Sequence, residues 1–127
     1  VLVFCEIAGR WGGGGIRAGF YHRTGVDIIS AMLQAQLGEP MPVPSREGDD
    51  LTGYTLIYAS GERMRRDFHL NEPWVIQCNL RVRAGDVPKV PTAWDRSIAA
   101  ITVRGETEDQ VAERLAACEE AFQSCFR

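Results

Sequence analysis

A chain of 127 residues is one domain's worth of sequence, long enough to bury roughly two thirds of its unfolded surface without covalent staples. Its 45% apolar and 24% charged residues exclude a disordered tail, a collagen-like repeat and a coiled coil, and no apolar run approaches the ~20 residues that span a bilayer. Fourteen Lys and Arg against seventeen Asp and Glu give a net charge of −3, which is not the footprint of a general nucleic-acid binder.

In chain order, Val1 to Ile7 is apolar until Glu6 and predicts a strand buried on both faces. It leads to Gly12, Gly13, Gly14 and Gly15, a loop in which backbone must approach something closely or adopt positive φ. A helix is expected next. Thr24 and Asp27 have capping-box spacing, Val26, Ile29, Met32, Leu33 and Leu37 share one face, and Gly38 with Pro40 ends it. The Pro-rich and charged stretch from Pro40 to Asp50 reads as a linker between units 1–48 and 49–127. Beyond it, Tyr54 to Ala59 predicts a strand, Ser60-Gly61 a turn and Arg63 to Leu70 a returning strand. From Trp74 to Val82, Ile76, Cys78, Leu80 and Val82 alternate with Gln77, Asn79 and Arg81, the period of a half-buried antiparallel strand. Ala84-Gly85-Asp86 is a turn, and Ser97 to Arg104 a further strand ended by Gly105. Thr107 and Gln110 form a capping box for a last helix whose stripe is Val111, Leu115, Cys118, Phe122 and Cys125/Phe126. Strands closed by a helix indicate an α+β fold for the second unit. The first strand lacks the partners that double-sided burial requires, so the chain is expected to be part of something longer. The Val1 to Phe4 surface is then prone to self-association, and a homo-oligomer is one outcome.

One constellation carries chemistry. Glu6 sits at the end of an apolar strand, Arg10 follows four residues later, and Gly12 to Gly15 follow that. A carboxylate at a strand end is a good Mg²⁺ ligand, an arginine neutralises a transferring phosphoryl group, and successive N–H groups of a glycine loop make an anion nest. The same residues also suit a plain strand-to-loop turn with Glu6 paired to Arg10. The spacing is neither that of a Walker loop nor that of a dinucleotide fingerprint.

These residues resemble the end of the catalytic domain of ATP-grasp ligases, where a Glu-bearing strand, a pattern like E-x-N-x-R and a glycine-rich turn precede a helix. The matching stretches are Glu6-Ile7-Ala8-Gly9-Arg10, Gly12 to Gly15, Thr24-Gly25-Val26-Asp27 and Leu37-Gly38-Glu39-Pro40, and the stretch from Ile98 to Val111 resembles the closing strand and helix. The chain departs from the pattern at Ala8, where many members place a second metal-ligating Asn. The resemblance implies an enzyme that uses ATP and Mg²⁺ to join a small-molecule carboxylate to an amine through an acyl phosphate. It assigns the metal to Glu6, the phosphoryl and oxyanion contact to Arg10 and phosphate binding to Gly12, Gly13, Gly14 and Gly15. The nucleotide grip would lie in a missing N-terminal part of the same protein, so the 127-residue chain alone is expected to be inactive. The competing expectation is a non-catalytic α+β binding or interaction module with an anion-binding glycine loop.

Arg63, Arg65, Arg66, Arg81 and Arg83 could gather on one sheet face, either to hold an anionic substrate or as a solvated edge. His22 and His69 read as surface or packing residues, Trp74 and Trp94 as core, and Trp11 as a candidate pocket wall. Cys5, Cys78, Cys118 and Cys125 have no metal-ligand spacing and are expected as free buried thiols in a reducing, cytoplasmic compartment, with neither nucleic acid nor membrane as a partner.

Overall fold

The structure, a computed structural model, describes residues 13–45, 48–91 and 96–127. The predicted strand from Val1 to Ile7 therefore lies outside the described residues. Helix α1 spans Ile16–Thr24 and α2 Ile28–Gln36. The strands are β1 Leu51–Ile57, β2 Val75–Leu80 and β3 Ala99–Gly105, and α3 spans Glu108–Gln123 before a 3₁₀ turn, Ser124–Phe126. The protein is α+β: the described residues form an antiparallel sheet of order β1-β3-β2 and a closing C-terminal helix.

β3 takes the centre because its residues suit burial on both faces: Ile101 and Val103 point to one and the almost inaccessible Thr102 to the other. α3 packs on the Ile101 face. Thr107 caps it by accepting from Gln110 N, and the Gln110 side chain accepts from Glu106 N. Glu108 and Asp109 place negative charge at the positive end of the helix dipole. The predicted stripe is the core: Val111, Cys118, Phe122, Cys125 and Phe126 are buried, with Leu115 packed beside them. Burial pushes the Cys118 thiol up to about 11. Cys78, Cys118 and Cys125 are free thiols. Cys118 should therefore resist a thiol reagent at pH 8 in the native protein and react on unfolding; rapid native labelling of Cys118 would contradict its placement.

Three local expectations are corrected. Arg63 to Leu70 forms no strand. Its buried side chains, Met64 and Phe68, are four apart rather than alternating, and its backbone is engaged elsewhere. Met64 N donates to Asp86 O, Gly85 N to Met64 O and Arg65 N to Cys125 O. The arginines are dispersed rather than gathered on a shared sheet face. The Arg65 side chain donates to Phe126 O and Arg66 to Ser124 O and Oγ, which places two cations where the α3 dipole is negative, whereas Arg63 donates to Gly85 O and Arg81 to Ser97 O.

The second correction concerns β2, where a bulge lies between Val75 and Gln77. Val75 pairs with Val103 and Cys78 with Ile101 on the core side, so the extra residue, Ile76, leaves the face of Cys78 and Leu80 to which strict alternation assigns it. Thirdly, Thr24 closes α1 instead of opening a helix. Its hydroxyl donates to Phe20 O and accepts from Val26 N, while Asp27 caps α2 through Ile29 N. Gly38 follows α2 with φ 72°, as expected of a helix stop. Of the α2 face, Val26 is buried but Leu33 and Leu37 are exposed.

Candidate functional site

α1 lies across the sheet face opposite α3, the face of Thr52, Tyr54, Thr102, Gln77 and Asn79. No strong amphipathic pattern drives it there; close approach through glycine does. Gly14 has φ 66°, and a Cβ on it would fall 2.8 Å from Tyr54 Cζ. A Cβ on Gly15 would fall 2.8 Å from Tyr54 Cγ and 2.5 Å from Thr102 Oγ1. One helical turn on, a Cβ on Gly19 would meet Thr52 Oγ1 at 2.6 Å. Any larger residue would lift the helix off the sheet.

Gly15 is the N-cap of α1 and supplies no side-chain cap, and the first turn carries no acidic residue. It carries a cation instead, Arg17, at the end of the helix where the dipole favours anions. Arg17 is paired with Asp27 across the α1–α2 junction at 2.5 Å. The guanidinium, together with the Ile29 amide, holds the Asp27 carboxyl below its usual range. Beside this pair, Gly14, Tyr21, Ile76, Gln77 and Asn79 line a cleft of about 540 Å³ between α1 and β2. The cleft offers one cation, one anion, two amides and a phenol, a mixed lining suited to a small polar ligand.

Gly13, Gly14 and Gly15 are thus described at the entrance to α1, whereas Glu6, Arg10 and Gly12 lie outside the described residues, as do Trp11 and Trp94. Sequence reasoning missed Arg17, Gln77 and Asn79. The signal for Arg17 was present, a basic residue two positions after the last glycine of the run. Among the described residues no group of three or more His, Cys, Asp or Glu is arranged to hold a metal ion, and no helix is long and apolar enough to cross a membrane.

A second polar cluster ties α1 to the sheet. Asp50 Oδ2 accepts from Arg104 at 3.1 Å and lies 3.4 Å from His22 Nε2. Arg114 donates to Arg104 O and stacks over Trp74 at 5.5 Å. Arg104 first, and His22 second, hold the Asp50 carboxyl below its ordinary value of 3.8. A depressed folded pKa adds stability that is present above the unfolded value and lost as pH falls through the folded one. Asp50→Asn should therefore lower the melting temperature at pH 7, with the gap to the parent closing below about pH 4. Gaps of equal size at pH 7 and pH 3 would show that Asp50 acts by packing, not charge.

Compared with known proteins, the chain matches no family model and no curated relative.

Proposed function

We propose that the chain is the C-terminal portion of an ATP-dependent ligase of the ATP-grasp type, which joins a small-molecule carboxylate to an amine through an acyl phosphate. The observation that carries this is the entrance to α1. A positive-φ glycine and a glycine N-cap open a helix whose first turn holds no acid, an arrangement that favours an anion at that end. The order of Glu6, Arg10 and the glycines before it, and the α+β unit after it, add to the likeness.

In this reading Glu6 offers the hard oxygen donor that Mg²⁺ takes, and Ala8 adds no second donor. Bound Mg²⁺ would supply neutralisation of charge on the ATP phosphates. Arg10 would supply a guanidinium for the phosphoryl oxygens and for the oxyanion that forms when the amine attacks. The amides of Gly12 to Gly15 add further donors. The nucleotide grip belongs to the N-terminal part of the same protein, and the compartment is the cytoplasm.

The test uses the full-length protein with ATP, Mg²⁺ and panels of carboxylates and amines. ADP release should require a carboxylate, hydroxylamine should trap the activated acyl group as a hydroxamate, and the 127-residue chain alone should release no ADP. Folded full-length protein that releases no ADP, whichever carboxylate–amine pair is supplied, would overturn the ligase function. It would favour the non-catalytic module, in which the seating of Gly14 and Gly15 on Tyr54 and Thr102 is sufficient reason for those glycines.

A further inference from the structure

The glycine turn does not stand free. Tyr54 and Thr102 are cross-strand partners on β1 and β3, and together they form the floor on which the turn rests. Thr102 is 3% exposed on the central strand, and its hydroxyl lies directly under Gly15. The Tyr54 contacts run along the side chain: Cβ and Cγ face Gly15, while Cδ2, Cε2 and Cζ face Gly14. Thr52, two residues along the same strand, meets Gly19 and fixes the helix a second time. Two contacts one helical turn apart set both the height and the direction of α1 over the sheet.

We propose that Tyr54, backed by Thr102, is a positioning residue for phosphoryl transfer: its ring sets where the amides of the Gly13–Gly15 turn stand. This rests on the ligase function proposed above and goes beyond it, because it gives the antiparallel sheet a part in catalysis rather than in stability alone. The ring carbons make the contact, so Phe should replace Tyr at this position. Loss of the ring leaves the turn without its floor. A misplacement of about 1 Å at a group aimed at a reacting phosphoryl costs on the order of 10²-fold in rate.

The experiment compares Tyr54→Ala, Tyr54→Phe and Arg10→Ala in the full-length enzyme, measuring kcat, KM for ATP and hydrogen exchange in peptides covering residues 13–20. Tyr54→Ala should lower kcat by roughly 10- to 100-fold, leave KM for ATP within about twofold and speed exchange in those peptides. Tyr54→Phe should match the parent in all three. Tyr54→Leu, which keeps apolar bulk without the reach of the ring, should give the same split and serves if Tyr54→Ala does not fold. Parental kcat in folded Tyr54→Ala or Tyr54→Leu beside an impaired Arg10→Ala discards the positioning role and keeps the ligase. Tyr54→Phe as impaired as Tyr54→Ala also overturns it, by assigning the effect to the hydroxyl. Full turnover in Arg10→Ala, whatever Tyr54→Ala does, removes the assigned phosphoryl contact and this inference with it.

Discussion

Phe122→Ala is expected to lower the unfolding free energy by about 3–5 kcal/mol, read from urea denaturation of the chain. Phe122 is fully buried at the end of α3. Its ring meets Phe68 edge-on with centroids 5.2 Å apart and Phe126 at 5.5 Å. Truncation removes the transfer free energy of the ring and both aromatic contacts, and it leaves a cavity between helix and sheet. The neighbours are poorly placed to collapse into it. Phe68 belongs to a segment tied to the end of α3 through Arg65 N and Cys125 O, and Phe126 closes the 3₁₀ turn. Domains are stable by only about 5–15 kcal/mol, so roughly a fifth or more of the total rests on this position. Leu33→Ala is the control. Leu33 is 57% exposed on α2, and its loss should stay within about 0.5 kcal/mol. A Phe122→Ala loss below 1 kcal/mol would show that the α3 stripe is not the centre of the core.

If the proposed ligase function holds, Arg10→Ala and Glu6→Gln should separate chemistry from stability in the full-length protein. If Arg10 faces the charge that develops on the phosphoryl group and the oxyanion, its removal should lower kcat by ~10²–10³ and leave ATP binding nearly intact. Glu6→Gln keeps the shape of the side chain and removes its charge. It should raise the Mg²⁺ concentration needed for half-maximal rate and slow acyl-phosphate formation. A strand-to-loop turn held by a Glu6–Arg10 pair makes the opposite forecast: both variants melt earlier and turn over normally. The deciding measurements are kcat, Mg²⁺ dependence and melting temperature side by side. Parental turnover in folded forms of both variants would end the catalytic assignment.

The sequence by itself determined the elements whose signals are local. For α3, Thr107 and Gln110 lie three residues apart and the apolar stripe repeats every three or four, so cap and face are written within one helix. Gly38 and Gly85 marked a helix stop and a turn through conformations that glycine adopts without strain. The glycine run was legible as a place of close approach, but not what it approaches. Tyr54 and Thr102 lie about 40 and 90 residues away along the chain, and only folding brings them under Gly14 and Gly15. The tertiary structure also decided that β3 enters between β1 and β2, because the strand suited to burial on both faces takes the centre whatever its place in the chain. The Arg63 to Leu70 segment looked like a strand, yet its hydrogen bonds go to Asp86 and Cys125, partners that periodicity cannot name. The bulge at Ile76 follows the same logic: register depends on the partner strand, and one extra residue turns a side chain from the core to the cleft. Caps and stripes act over a few residues and can be read in one dimension. Pairing order, close approach and register are settled between residues that meet only when the chain is folded.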